Sequence, residues 1–288
     1  MVEEVRPTQC DSTRPNCAEF DALVFVHGIY GSKDTFQNPK TKFYWPAEIP
    51  AAVAGRRIDV YTIEYQTALL NWAKSDVPEF AVVANDIFNA MSLVRNRNYR
   101  SIGFVTHSLG GNITGTYLLA VKTRIGHIAR AQHAYSINLA TPATGSGIAN
   151  IGSTLKSVLG MSDNMLESLK SGNLYLKMLQ YNSEGAALKG KSKKCRPTEI
   201  FGAYETVSIA GNKVVAMDSA LANSLFSEAP TAFPLNHINI AKPKSREDPL
   251  YKWVYEKIEN QMRRLNDWER PLCEPEEISL PNWLKSSN

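Results

Sequence analysis

Cysteine is scarce in this chain: four thiols, Cys10, Cys17, Cys195 and Cys273, are spread over 288 residues. That spacing excludes the tight Cys/His cluster of a structural zinc site. It leaves a small disulfide between Cys10 and Cys17 and free thiols as equal alternatives. Charge of one sign is also lacking. The 32 Lys and Arg stand against 28 Asp and Glu, a net +4, an excess too mild to indicate a nucleic-acid partner. The most basic stretch, Lys189 to Arg196, holds five Lys or Arg in eight residues; it reads first as a solvated loop and second as a contact for anionic lipid headgroups. Long apolar runs are missing as well, none approaching the ~18 consecutive residues of a transmembrane helix. Met1 leads into acidic residues rather than a basic and then apolar leader, so no secretory signal is read and a soluble chain is expected, cytoplasmic, or secreted if trimmed. No internal repeat and no low-complexity block occurs. What is present, 43% hydrophobic and 21% charged residues, suits one large globular domain, 1–288, that folds without a metal or organic cofactor.

Short continuous apolar runs follow a polar N-terminal arm. Ala22 to His27, Ile58 to Ile63, Ser101 to Thr106 and Ala134 to Ala140 read as strands buried on both faces. Between them lie helical patterns. Val77 to Val94 places Val83, Ile87, Met91 and Val94 on one face, and Leu109 to Arg124 follows the third strand directly. Strands alternating with helices of this length predict right-handed βαβ units and a mostly parallel central sheet flanked by helices. From Gly145 the pattern changes, with Met165, Leu166, Leu169, Leu176 and Leu179 on helical phases between glycines. The segment of about 146–194 is read as an insertion, either a helical cap over the strand ends or plain scaffold. Glu199 to Tyr204 predicts a late strand, a loop region runs to Pro243, and Pro249 to Trp268 predicts a final amphipathic helix burying Leu250, Trp253, Val254 and Ile258.

The strongest chemical signal is Phe104-Val-Thr-His-Ser108-Leu-Gly-Gly111, a buried strand that turns straight into a helix. A tight strand-to-helix turn lifts a serine hydroxyl clear of the sheet, and Gly110 and Gly111 allow the close approach of strand and helix that it needs. Thr106 stands where the first glycine of such a motif is usual. The bland alternative is an ordinary turn with a capping serine.

A serine hydroxyl needs a neighbouring base to take its proton as it attacks. The chain offers five histidines. His27 ends the first strand, His107 points elsewhere, and His127 and His133 fall in the surface connection after the following helix. His237, in Pro234-Leu-Asn-His-Ile-Asn-Ile-Ala-Lys-Pro243, is selected by elimination. It also follows any candidate acid, in the chain order nucleophile, acid, histidine of the α/β-hydrolases. Two residues compete for the acid. Glu205 directly follows the late strand and is favoured, whereas Asp218 serves equally as a helix cap near Ser219. Oxyanion donors are expected at the amides of Leu109, next to the serine, and Ile29, in the loop after the first strand. Phe36 and Trp45 are read as an apolar wall or as core.

With His27-Gly28, the Thr-His-Ser-Leu-Gly-Gly turn and the Asn-His-Ile-Asn-Ile-Ala-Lys-Pro segment in place, the chain resembles the lipase-like serine esterases related to GPI inositol-deacylases, from about Leu23 to Pro243. Tyr204-Glu205-Thr206 and Val214 to Ala220 are similar to elements of that group. The resemblance implies an α/β-hydrolase fold, Glu205 as acid, and hydrolysis of carboxylic esters, often of lipids, through an acyl-enzyme. Within enzymes, the alternative is a thioesterase or a phospholipase acting at a membrane surface through peripheral contact. Outside them it is a catalytically silent scaffold of the same fold.

Overall fold

The continuous apolar runs lie side by side in one sheet. A computed structural model describes residues 1–5, 20–28, 31–65, 79–142, 196, 198–208 and 226–267, with the backbone alone for 79–84, 127, 128 and 130. Among these residues the strands are β1 (Val2–Glu4), β2 (Phe20–Val26), β3 (Ala52–Val53), β4 (Arg56–Ile63), β5 (Ser101–His107), β6 (His133–Leu139), β7 (Glu199–Glu205) and β8 (Thr231–Phe233). They run in the order β1-β4-β2-β5-β6-β7-β8, with β3 paired to β4 off that path. Every pairing from β4 through to β8 is parallel. The flanking strands β1 and β3 join β4 antiparallel. The helices are α1 (Trp45–Glu48), α2 (Glu79–Ala90), α3 (Ser92–Arg95), α4 (Leu109–Arg124), α5 (His127–Gln132) and α6 (Pro249–Asn266).

Every residue of β2 and β5 is buried, as expected of central strands covered on both faces. Side chains alternate between those faces. Val24, Val26, Ile102 and Phe104 join Ile87, Met91, Val94, Ile113, Tyr117 and Val121 in one core. Leu23, Phe25 and Val105 turn the other way, into a core with Trp45, Ile137, Leu250, Val254, Ile258 and Met262. Complete burial of such side chains is worth roughly 1.5–3 kcal/mol each, which fixes register because a slip by one residue would exchange the two faces. At the head of α6, Asp248 caps the helix by accepting from the Leu250 amide at 3.0 Å, and Pro249 occupies the first turn, where its missing N–H costs nothing.

The structure departs from the sequence reading at several points. The polar N-terminal arm contributes an edge strand, β1, and the loop region before Pro243 contains β8. The helix expected over 77–94 is divided, α2 ending at Ala90 and α3 starting at Ser92. His133, expected in a surface connection, opens β6 and is buried, its Nε2 2.8 Å from the Tyr117 hydroxyl and its Nδ1 2.8 Å from the Ala129 carbonyl. Those two partners offset the desolvation of the ring. Trp253 is only partly buried, packed against the α6 core. The segment 146–194, Asp218, the four cysteines and the basic stretch apart from Arg196 lie outside the described residues. Arg196 turns inward, donating to the Ala131 carbonyl at 2.8 Å. Among the described residues no helix is long and apolar enough to cross a membrane.

Candidate active site

β5 ends at His107 and α4 begins at Leu109, so Ser108 alone turns the chain from strand into helix. It does so at φ 53° and ψ −130°, on the positive side of φ where a non-glycine residue costs on the order of 1–3 kcal/mol. Its surroundings hold it there. The Ser108 amide donates to the Leu139 carbonyl at 2.9 Å. Packing on the other side is so close that a Cβ at Gly110 would lie 2.5 Å from the carbonyl oxygens of both Val26 and His27, which explains the glycine after Leu109. The Ser108 side chain makes no capping bond to α4, contrary to the bland reading of a cap. Its Oγ lies 2.9 Å from Nε2 of His237. Thr106 is accommodated because its hydroxyl donates to Asn138 Oδ1 on the neighbouring strand at 2.9 Å.

His237 follows β8 in a short turn built by Asn236, whose side-chain oxygen accepts from the amides of Ile238 at 3.2 Å and Asn239 at 2.8 Å. An Asx turn of this kind is a local property of Asn. On its far side the His237 ring presents Nδ1 at 3.2 Å to Oε1 of Glu205, the last residue of β7. Serine, histidine and glutamate are all buried, so their electrostatic interactions are strengthened by exclusion of water. An imidazole bonded through one nitrogen to a hydroxyl and through the other to a carboxylate is equipped to remove the hydroxyl proton, the carboxylate holding the tautomer and stabilising the imidazolium.

The loop after β2 comes next to the serine. A Cβ at Gly28 would sit 2.8 Å from the Ser108 Cβ and 3.4 Å from its Oγ, so only glycine leaves that space open. Burial lowers the pKa of His27 there. Its Nδ1 lies 2.7 Å from the Gly28 carbonyl, and its ring stacks on Tyr65 with centroids 4.2 Å apart. Ile29, expected as an oxyanion donor, lies outside the described residues. Leu109 is the first residue of α4 and is buried directly after Ser108.

Three side chains bond to main-chain carbonyls between His237 and Lys242, a role the sequence reading gave to none of them. His107 does not point away: its Nε2 is 2.8 Å from the main-chain carbonyl of His237. Trp45 Nε1 donates to the Ala241 carbonyl at 3.0 Å, and Asn38 Nδ2 to the Lys242 carbonyl at 2.8 Å. Phe36 and Trp45 are core residues, packed edge-on against Phe25 with centroids 5.1 and 5.0 Å away. His107 ends a buried strand that also carries Ser101 and Thr106, so a polar residue there gave no distinguishing signal. Nothing local marked Asn38. Among the described residues no group of three or more His, Cys, Asp or Glu side chains converges as metal ligands do.

No family model matches the sequence, and no curated protein matches it. Among solved structures the chain is similar to the mature lipase BlEst2 of Bacillus licheniformis, with a TM-score of 0.50 and 17% identity over 88% of this chain and 98% of that one. It is also similar to fungal esterases of Rhizomucor miehei, with a TM-score of 0.50 and 15% identity over 92% of this chain and 83% of theirs. The fold is that of the α/β-hydrolases. In this α/β-hydrolase sheet His27, Ser108, Glu205 and His237 all lie at or beyond the carboxyl ends of parallel strands, the edge at which open α/β sheets bind their ligands.

Proposed function

We propose that the chain is a serine hydrolase that cleaves carboxylic esters through an acyl-enzyme. The observation that carries this reading is the unbroken contact from Ser108 Oγ to His237 Nε2 at 2.9 Å and from His237 Nδ1 to Glu205 Oε1 at 3.2 Å. Similarity in fold to a lipase and to esterases supports it. In the mechanism Ser108 Oγ bonds to the ester carbonyl carbon while its proton passes to His237 Nε2. The amides of Leu109 and Ile29 hold the oxyanion, a contribution of roughly 3 kcal/mol per donor. The intermediate collapses as the alkoxide leaves with the proton from Nε2. Water then attacks the acyl group by the same route, His237 again serving as base, and Ser108 recovers its proton as the acid departs. Glu205 orients the ring throughout.

The test is labelling by a fluorophosphonate probe together with turnover of p-nitrophenyl esters and phospholipids. Ser108→Ala and His237→Ala are expected to abolish both while leaving the fold intact, read by circular dichroism. Glu205→Gln should lower kcat by about 10⁴-fold, and Asp218→Asn should not. A folded wild-type protein that neither labels nor turns over any ester would end this reading. A severe effect of Asp218→Asn alone would reassign the acid.

A further inference from the structure

We infer that His107 is a positioning residue that sets the distance between nucleophile and base by gripping the main chain of His237. The inference rests on the reading of Ser108 as nucleophile and His237 as base, and goes beyond it to a histidine with no part in proton transfer.

The argument starts from the unequal anchoring of the two partners. Ser108 belongs to the rigid end of the sheet: β5 is paired on one side with β2 and on the other with β6, and the Ser108 amide is itself bonded to Leu139. His237 instead stands in a turn beyond β8, a strand of three residues paired with β7. A base on such a turn needs a tie to the sheet if its ring is to stay within hydrogen-bond reach of the hydroxyl. Two adjacent residues of the β5 terminus provide contacts to both ends of His237. Ser108 meets its imidazole at 2.9 Å and His107 meets its carbonyl oxygen at 2.8 Å. The two rings lie against each other, centroids 5.0 Å apart.

The chemistry of the contact fixes its polarity. A carbonyl oxygen only accepts, so His107 Nε2 carries the proton and donates. Burial, and after it the neighbouring His237, push the His107 pKa down to about 3, so the ring is neutral and adds no charge opposing an imidazolium at His237. An apolar ring would fill the same volume without the cost of burying a polar group. What the imidazole adds is one donor aimed at the backbone of the base.

The experiment compares His107→Phe, which keeps the ring volume and removes the donor, with His107→Gln, whose side-chain amide nitrogen reaches the position of Nε2. Active sites are titrated with a fluorophosphonate, and kcat and KM for a p-nitrophenyl ester are expressed per titrated site. His107→Phe is expected to lower kcat on the order of 10²-fold, the size of effect that a misplacement of about 1 Å produces, with KM little changed. His107→Gln is expected to recover most of that loss. Should the Phe variant not fold, His107→Asn, too short to reach, replaces it against His107→Gln with the same split expected. A purely structural role would instead lower the titratable fraction and the melting temperature at unchanged kcat per site, and that result overturns the inference. Equal kcat in the Phe and Gln variants overturns it too. A wild-type enzyme that fails to label, or a Ser108→Ala variant that retains turnover, removes the underlying reading. Normal behaviour of both with an indifferent residue 107 removes only the inference about His107.

Discussion

At the scale of single residues, the site depends on what is absent beside Ser108 as much as on the serine itself. The space over its Oγ is open because residue 28 has no side chain, and Gly28→Ala would place a methyl 3.1 Å from the His107 carbonyl and 2.8 Å from the Ser108 Cβ. The turn must then shift. This variant is expected to lose on the order of 10²-fold in kcat while still folding, read as turnover per titrated site beside a thermal melt. His107 carries a second consequence at this scale. Its folded pKa is about 3 against an ordinary 6.5, lowered by burial and then by the charges of His237, Lys242 and His27, with the bond to the His237 carbonyl acting the other way. Between those two values the unfolded chain binds the proton and the folded one does not, so stability rises with pH across that window. The contribution is complete above about pH 6.5 and is lost as the pH falls toward 3. Replacing His107 by Gln is expected to flatten the unfolding free energy against pH over this range. Urea titrations at stepped pH give the slope, and an unchanged slope would contradict the assignment. As candidates, Ser108 and Glu205 were legible in the sequence from local marks, a strand-to-helix turn and a strand end, and His237 by elimination and chain order. His107 was not, since its role is defined by a carbonyl 130 positions away.

Between elements, the segment from Asp34 to Trp45 and the turn carrying His237 are fastened to one another. Trp45, Asn38 and Thr41 donate to the carbonyls of Ala241, Lys242 and Lys244 at 3.0, 2.8 and 2.9 Å, and Lys242 Nζ returns a bond to the Asp34 carbonyl at 3.1 Å. The connection between β2 and β3 thus ties down the segment that follows His237. Trp45→Phe keeps an aromatic ring in the core and removes one donor from the buried Ala241 carbonyl. A loss of about 1–3 kcal/mol is expected, or about 2–4 °C in Tm per kcal/mol for a protein of this size, together with slower fluorophosphonate labelling as the His237 turn loosens. Labelling at the wild-type rate in a destabilised protein would show that the brace serves stability alone. The central strands here were readable as continuous apolar runs, and α6 from its hydrophobic period. The strand Thr231–Phe233 was not, because three residues between Pro230 and Pro234 carry no period and their pairing with β7 is a non-local choice.

Across the whole molecule the sheet is polarised. Its carboxyl edge gathers Ser108, Glu205 and His237, while its amino edge buries an ion pair: Arg56 Nε and Nη2 donate to Asp21 at 2.6 and 2.5 Å, and the Ser101 hydroxyl donates to the same carboxylate at 2.5 Å. Asp21, Arg56 and Ser101 stand at the starts of β2, β4 and β5, far along each strand from the site. Asp21→Ala leaves the guanidinium buried without its carboxylate and is expected to cost about 3–5 kcal/mol, seen as a lower denaturation midpoint, with kcat per titrated site unchanged. A fall in kcat per site would mean that the two edges are coupled. The chain's own order of residues sufficed for the parallel strands other than β8, the helices α4 and α6, the tight turn at Ser108 and the choice of Glu205 and His237 as candidates, because apolar runs, period and turn chemistry act over a few neighbouring positions. Closure of the chain alone decided that Ser108 Oγ meets an imidazole rather than capping α4, that His107 meets the His237 carbonyl, and that Trp45, 196 residues before Ala241, bonds to the segment after His237. Those contacts join positions remote in sequence, and a local pattern encodes which conformation a segment prefers but not which distant backbone will arrive beside it.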